Sequence, residues 1–505
     1  MKKATRLIAV LMLLCLVCCS FAACDPSEEE TSSNAETSTD TKNELFAGLP
    51  EKDYEGKEFT FLVPGDSVLT YKSNEIMPQE DSPLALNDEI KARNELVEEK
   101  FNVKIAEIRT QSNETMIDLI RTEVLSTGGT YDVVMPYIPD AATLALENAF
   151  YELGELEYFN LDHACWDQNA KTALSINHKN YFATGDISLL TLACTHAIVF
   201  NKDMIKEYSL DNPYDIVTSG KWTIDKLREM AVKVTADTDG TSGMSATDTY
   251  GFLINNNFVT SMFVGSGQRL TGKDDSDLPY IQIIDEAEAA SSVFIKIFDL
   301  VNDEKATGKI DDANGTYYIT AVSGGGTCWE AATQSVANKL ALFRAMSVID
   351  IIDLGNYDCN FGIVPIPKYS EQQDNYHSLV STLYATCVAI PSSCSDPEMS
   401  AIIAQAMCEA STDTTKDAYF NVILKLRKIQ DNESEAMLDT IFNGRVYDLG
   451  IIYNWGGSGP YDTNSIGNFM NGVAYSGSQT FASTLESISN GVEASLKNTL
   501  DAFNN

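Results

Sequence analysis

Residues 59–65 read FTFLVPG, an apolar run of strand length that is closed by a proline-glycine turn. Apolar residues then recur at helical spacing through 86–101, and the period shortens to two in VKI at 103–105. The pattern predicts a second helix over about 114–126 and a further strand in YDVVM at 131–135. Because crossovers are right-handed, this strand-helix-strand-helix-strand unit forms a parallel sheet, and the sequence predicts an α/β fold.

The amino terminus has the layout of a secretory signal. Basic residues precede a short apolar run, and Ala22-Ala23 stand immediately before Cys24. The run is shorter than the roughly 20 apolar residues needed to span a bilayer. The segment resembles a bacterial lipoprotein signal, which implies that residues 1–23 are removed and that Cys24 carries the lipid. The alternative is an ordinary cleaved signal in which Cys24 is incidental.

Residues 24–45 are rich in Ser, Thr and Glu. Such a stretch cannot bury enough apolar surface to offset the entropy lost on ordering. The sequence therefore predicts a disordered leash, attached to the membrane through the lipid on Cys24, that lets the globular part stand off and reorient.

Composition limits the classes of partner. The chain has 505 residues and is 44% hydrophobic, which is enough for two lobes that each have a core. It carries 35 Lys+Arg against 73 Asp+Glu, and this formal charge of −38 excludes nucleic acid as a partner because phosphates would be repelled. The cysteines after Cys24 lack CxxC spacing, so they indicate buried small side chains rather than a disulfide framework or a zinc site, although one disulfide stays open.

Motifs of catalysis and of cofactor binding are absent from the sequence. No histidine lies in HExxH spacing, and GGSGP at 456–460 is not the GxSxG of a nucleophile elbow. The glycines at 324–326 lack the Lys-Ser/Thr of a phosphate loop, and DTDG at 237–240 lacks the closing Glu of a calcium loop. We therefore predict no cofactor, no metal site and no catalytic residue.

Several short motifs occur in a characteristic order. They are YDVV at 131–134, VFNKD at 199–203, GKWT at 220–223, FGIVPIP at 361–367, AIP at 389–391 and DPE at 396–398. In this order, behind a lipoprotein signal, they resemble a family 1 extracellular solute-binding protein, the lipid-anchored receptor of a bacterial ABC importer.

The resemblance implies a two-lobe, periplasmic-binding-protein-like (type II) α/β fold. Each lobe would be a mostly parallel sheet flanked by helices, and three hinge crossovers would join the lobes. We expect the crossovers near 187–195, 342–347 and 378–385. The N-terminal lobe would comprise 46–190 plus 345–380, and the C-terminal lobe 191–344 plus 381–505.

The resemblance also implies a function. The protein would be an extracytoplasmic, monomeric receptor that captures a small polar ligand, most commonly a carbohydrate or oligosaccharide, by hinge closure and delivers it to ABC permease subunits. The residues expected to hold the ligand are Asp66, Tyr137, Asp140, Trp166, Asp167, Asp186, Trp329 and Trp455.

The chemistry of a sugar explains this choice of residues. A pyranose stacks its apolar face on an aromatic ring and offers hydroxyls to carboxylates. The glycines around Trp455 predict an exposed ring. Each tryptophan can equally pack in the core or hinge, and each aspartate can simply be solvated.

Two other classes of protein stay open at this point. A lipid-anchored glycoside hydrolase would also use acidic pairs and exposed tryptophans. A surface adhesion or scaffold lipoprotein would bind no small ligand at all.

Overall fold

A computed structural model describes most of the chain. The chain divides into two compact units, Met1–Ala47 and Gly48–Asn505. Of the first unit only residues 45–47 are described, so the predicted signal, Cys24 and nearly all of the leash lie outside the described residues. The described ranges are 45–65, 71, 73–80, 82–111, 115–126, 128–238, 240, 244–245, 247–310, 328–425 and 432–504.

The strands of the second unit are short. They are β1 (Lys57–Val63), β2 (Val103–Arg109), β3 (Val133–Val134), β4 (His196–Asn201), β5 (Tyr250–Ile254), β6 (Gly272–Lys273), β7 (Pro279–Tyr280), β8 (Thr307–Lys309), β9 (Ala341–Ser347), β10 (Phe361–Val364), β11 (Ser378–Leu379) and β12 (Arg445–Val446).

Helices connect and cover these strands. Those before β9 are α1 (Leu84–Phe101), α2 (Met116–Ser126), α3 (Ile138–Leu146), α4 (Gln168–Leu174), α5 (Leu189–Ala193), α6 (Lys202–Glu207), α7 (Pro213–Thr218), α8 (Ile224–Val232), α9 (Phe258–Gly265), α10 (Gln282–Asp285), α11 (Ala287–Val301) and α12 (Cys328–Ala337). Those after β9 are α13 (Ile351–Leu354), α14 (Pro397–Ser411), α15 (Asp417–Lys425), α16 (Asn432–Asn443), α17 (Leu449–Ile452), α18 (Phe469–Ser476) and α19 (Phe481–Phe503).

The first sheet is parallel and has the strand order β2-β1-β3. Phe61 and Leu62 of β1 lie on opposite faces of the strand and are both fully buried, as expected for a parallel strand that is covered on both faces. The predicted apolar face of α1 is buried, with Leu86 and Ile90 among its members. The strand-helix-strand-helix-strand prediction is therefore confirmed.

The second sheet is larger, with the strand order β10-β4-β9-β5-β8. β5 runs parallel to β8 and β9, whereas β4 runs antiparallel to both β9 and β10. All strands of this sheet except β4 therefore share one direction. Each sheet has its own apolar cluster, one containing Leu62 and Val134 and the other containing Phe252 and Phe343.

The membership of two segments differs from the lobe boundaries expected from the sequence. β10 was assigned to the first lobe within 345–380, but it pairs with β4 in the second sheet. Ala389 was assigned to the second lobe within 381–505, but it bridges Val134 of the first sheet. These assignments were wrong because short buried strands of either sheet have the same apolar pattern. The end of β9 (345–347) and helices α14 and α15 depart from the expected boundaries as well, since β9 belongs to the second sheet and both helices pack beside the first. The other lobe boundaries stay a prediction.

The chain passes between the sheets at a hinge. The segment 184–195 and the segment 380–385 lie side by side there, since Thr195 bridges Val380 and the Ser381 amide donates to the Cys194 carbonyl at 2.9 Å. β11 continues the hinge by pairing with β12.

The crossover expected near 342–347 was wrong. This segment is β9, and both β9 and the following β10 belong to the second sheet. Helices α14 and α15 pack on α1 beside the first sheet, whereas α16 packs on β10 of the second sheet.

The cysteines after Cys24 behave as small buried side chains. All of them are described, and each except Cys328 is buried. That interpretation of the sequence is therefore confirmed.

Glu75 ties the two crossing segments together. Its buried carboxylate accepts hydrogen bonds from the Leu190 amide at 2.9 Å and from the Thr386 hydroxyl at 2.6 Å. Ser73 donates to the other carboxylate oxygen at 2.9 Å. Burial raises the pKa of Glu75 above its usual value.

We predict that Glu75→Ala lowers the free energy of unfolding at pH 7 by about 3 kcal/mol, because it leaves buried donors without an acceptor. Glu75→Gln should cost less, since its amide oxygen still accepts these bonds. The raised pKa means that ionising Glu75 destabilises the folded chain as the pH rises through that pKa. Glu75→Gln should therefore gain stability relative to the wild type as the pH rises above the ordinary glutamate pKa of 4.5.

Urea unfolding monitored below and above this pKa measures both effects, and the exposed Glu493→Ala is the matched control. Equal stability of Glu75→Ala and the control would show that Glu75 does not hold the hinge.

Candidate ligand-binding site

A cavity of about 460 Å³ lies beside the hinge, and we call it the cleft cavity. Pro139, just after β3, contributes from the first sheet, and Asn256 and Asn257, just after β5, contribute from the second. Residues 379–383 of the crossing segment form another part of its wall. The cavity therefore lies at the carboxyl ends of strands from both sheets, where open α/β sheets bind ligands.

The described lining of the cleft cavity carries no Asp, Glu, Lys or Arg. Its polar groups are amides, hydroxyls and one imidazole. They belong to His196, Asn256, Asn257, Thr260, Ser381, Thr382, Asn454, Tyr461, Thr463, Ser465, Asn468, Asn471, Tyr475 and Ser476. Such a surface offers many hydrogen bonds but no neutralising charge for an ionic solute.

Aromatic rings gather at one side of this cavity. Tyr71 and Tyr384 stack with ring centroids 4.3 Å apart, and Tyr137 meets Tyr384 edge-on at 5.6 Å. Burial raises the pKa of Tyr384 to about 12, and the adjacent Tyr461 hydroxyl contributes to this shift. Tyr461 itself lines the cavity and is 66% exposed, so its ring is open to a ligand.

Two buried polar side chains lie at the inner end of the site. His196 packs against Phe258 with ring centroids 4.3 Å apart, and its Nδ1 has no hydrogen-bond partner among the described residues. In the same part of the chain, neither the amide oxygen nor the amide nitrogen of Asn255 has a described partner. Buried polar groups of this kind are normally satisfied, so a water or a ligand is expected to complete them.

Sequence analysis missed these residues. The available signal was the run Asn255-Asn256-Asn257 directly after a buried strand. Amides in that position face the ligand edge of a sheet, but the sequence did not show that β5 belongs to the sheet beside the hinge.

Of the acidic residues expected at the site, none lines the cleft cavity within the described part of the chain. Asp66 and its immediate successors lie outside the described residues. Asp140 is half-buried in the first turn of α3, where burial raises its pKa and the charges of Arg121 and Asp118 on α2 also act. It therefore faces α2.

Asp167 and Asp186 hold the fold together. Asp167 caps α4 and accepts from Arg445 Nε and from the Tyr447 hydroxyl, each at 2.8 Å. Asp186 pairs with Lys416 at 2.9 Å, and burial nevertheless raises its pKa. Both aspartates join segments far apart in the sequence and neither lines the described cleft cavity, so ligand binding by them stays a prediction.

The exposed ring predicted for Trp455 is wrong, and Trp166 is buried too. Trp166 is 1% exposed, and its Nε1 donates to Gln405 at 2.8 Å. Trp455 is fully buried, and its Nε1 donates to Thr499 of α19 at 2.9 Å. The side chain of Trp329 lies outside the described residues. Tyr137 belongs to the aromatic group beside the cavity and stays a predicted ligand contact.

Comparison with known proteins identifies the family. Residues 85–406 match the sequence profile of the bacterial extracellular solute-binding proteins. The chain belongs to this family. It is therefore a solute-binding protein by descent, which agrees with the choice of a binding protein over a glycoside hydrolase. By sequence, no curated protein matches the chain.

Solved structures share the fold of this solute-binding protein. A cyclo/maltodextrin-binding protein complexed with maltotetraose is 11% identical, with a TM-score of 0.56 over 88% of this chain and 98% of that one. CpMnBP1 with mannotriose bound is 15% identical, with a TM-score of 0.52 over 88% and 100%. RafE from Streptococcus pneumoniae, in its apo-form, is 14% identical, with a TM-score of 0.52 over 89% and 100%. The predicted two-lobe type II fold is confirmed.

The described residues include neither a membrane-spanning helix nor a cluster of metal-binding side chains. No helix there is both long and apolar enough to cross a membrane. No group of three or more His, Cys, Asp or Glu side chains there is placed to hold a metal ion.

We predict that His196 makes this solute-binding protein less stable below about pH 6.5. Burial lowers its pKa to about 3 in the folded chain. As the pH falls between these two values, the unfolded chain takes up a proton that the folded chain does not. The His196→Asn variant has no imidazole to take up this proton. Between pH 7 and pH 5, its free energy of unfolding should therefore fall by about 2 kcal/mol less than that of the wild type.

Denaturant unfolding at the two pH values measures this difference. His178→Asn is the matched control, because His178 is exposed and its positive φ of 62° suits asparagine. The same pH dependence in both variants would contradict a neutral, buried His196.

Proposed function

We propose that this solute-binding protein captures a neutral oligosaccharide in the cleft cavity outside the cytoplasm and delivers it to an ABC permease. The observation that carries this proposal is the lining of the cavity, which is rich in amides and hydroxyls and, among the described residues, free of charged side chains. A volume of about 460 Å³ is within the range of small-molecule sites.

The chemistry of the lining fits a sugar better than an ionic solute. A charged solute would be buried there without a counter-ion, which is costly. A sugar instead exchanges its hydrogen bonds with water for bonds to Asn257, Asn468 and their neighbours. The exposed ring of Tyr461 supplies a flat surface for the apolar face of a pyranose.

Two structural relatives support the same class of ligand. The cyclo/maltodextrin-binding protein contains maltotetraose, and CpMnBP1 contains mannotriose. Their low identity to this chain leaves the particular sugar open.

Closure of the two lobes provides the mechanism. The cavity takes residues from both sheets and from the hinge, so a ligand that touches all three is bound more tightly when the lobes approach. Only this difference in affinity between open and closed forms can shift the equilibrium between them. The closed form would then dock on the permease.

The proposed location completes this scheme. Lipid on Cys24 would hold the protein at the outer surface of the cell membrane, and residues 24–45 would serve as the leash. The receptor would act as a monomer.

The glycoside hydrolase alternative finds no support at this cavity. Glycosidases use a pair of carboxyl groups that flank the scissile bond. No carboxyl group lines the cavity in the part of the chain that the structure describes.

We predict that neutral oligosaccharides raise the melting temperature of the protein and that Tyr461→Ala weakens their binding about 10-fold, because the stacking surface is lost. Thermal-shift screening against neutral sugars, uronates and amino acids, followed by calorimetry on the binders, measures this. Tyr208→Ala is the control, since Tyr208 is 38% exposed and lies outside the described lining of the cavity.

Tight binding of only charged solutes would overturn the neutral-sugar assignment. If Tyr461→Ala bound the sugars with unchanged affinity, the Tyr461 ring would not be part of the site. The absence of any ligand-dependent shift would favour an adhesion or scaffold protein.

A further inference from the structure

A second cavity, of about 800 Å³, lies apart from the cleft cavity. It is lined by part of α4, by the β6 hairpin, by residues 374–377 and by β12. No described residue lines both cavities. Since residues 379–383 line the first cavity and β12 lines the second, the paired strands β11 and β12 lie between them. The proposed function makes no use of this second cavity.

Arg269 lines the second cavity. Its Nη1 donates to the carbonyls of Gln268 at 2.8 Å and Val264 at 3.4 Å. Among the described residues, no carboxylate forms an ion pair with it, and its Nε and Nη2 have no hydrogen-bond partner. Burial lowers the pKa of Arg269, and the negative charge of Asp448 partly counteracts this shift. Arg269 is half-buried, so its unpaired guanidinium N–H groups are available to a ligand in the cavity.

The other cations that line this cavity are already paired. Lys273 pairs with Asp277 at 2.9 Å, and Arg445 pairs with Asp167 at 2.8 Å. Arg269 is therefore the group whose charge is left for a ligand.

His377 is a second uncommitted group on the same wall. It lines the cavity and is half-buried, and its side chain forms no ion pair among the described residues. Burial and, to a smaller extent, Arg269 lower its pKa to about 4. An exposed carboxylate, Asp374, also lines the cavity, but it forms no ion pair with Arg269.

We propose that the second cavity binds a small oxyanion, such as a carboxylate, phosphate or sulfate group, through Arg269 with His377 beside it. The planar guanidinium can present two parallel N–H donors to two oxygens of such a group, which is the geometry that favours arginine for oxyanions. Because the acidic side chains on the rest of the surface repel anions, we expect oxyanions to bind only in this cavity.

Calorimetric titration of the full chain with inorganic phosphate, sulfate and glucuronate tests the proposal. Potassium chloride at equal ionic strength corrects for screening, and millimolar concentrations avoid the general stabilisation that sulfate and phosphate give at high concentration. The arms separate an inorganic ion from the acid group of a sugar, since glucuronate alone carries its oxyanion on a ring.

The variants are Arg269→Gln and the control Arg228→Gln. Arg228 is exposed and pairs with Asp303 at 2.8 Å, far in sequence from the cavity lining. We expect at least one oxyanion to bind the wild type and the control equally, and Arg269→Gln to weaken that binding about 10-fold or more. The proposal would be overturned if all three proteins bound the oxyanions with equal affinity. It would also be overturned if the oxyanions gave no more heat than potassium chloride at equal ionic strength.

A second readout needs no variant. In the wild type, the imidazole resonances of His377, followed by nuclear magnetic resonance, should shift on adding the oxyanion while those of the exposed His178 stay in place. Unshifted His377 resonances at saturating oxyanion would also overturn the proposal. Neutral-sugar binding at the cleft cavity is measured in separate titrations. If one of the two cavities binds no ligand, the proposal for the other cavity is still tested by its own titrations.

Discussion

The pairing of the two crossing segments is the constraint on which the rest of the structure depends. Thr195 bridges Val380, the Ser381 amide donates to the Cys194 carbonyl, and the Glu75 carboxylate accepts from both segments. These bonds fix where each sheet ends relative to the other. Because residues 379–383 also line the cleft cavity, the hinge and the ligand site are parts of one structure.

This shared structure explains how binding could be coupled to motion. A ligand in the cleft cavity touches the hinge segment and residues that follow strands of both sheets. A rotation at the hinge therefore changes its contacts with both lobes at once, which is the differential affinity that closure requires. Two of the buried groups that lack described partners are His196 of β4 and Asn255 directly after β5, both from the second sheet.

Charge is distributed unevenly over the molecule. The chain has 73 acidic residues, yet the described lining of the cleft cavity has none, while the second cavity brings together Arg269, Lys273 and Arg445. The acidic surplus therefore belongs to the solvated surface and to structural pairs such as Asp167 with Arg445. Two cavities with such different linings are suited to different ligands, a neutral one beside the hinge and an anionic one beyond β12.

The sequence alone determined the first sheet, the α/β class and the family, because periodicity and short motifs are local properties that survive in any correct fold. It did not determine which sheet receives β10 or the segment around Ala389, since both read simply as buried strands. It also could not separate a tryptophan that binds sugar from one that packs, and only the tertiary structure buried Trp166 and Trp455 and left Tyr461 exposed. Burial and pairing depend on residues hundreds of positions apart, so they are decided only when the chain has folded.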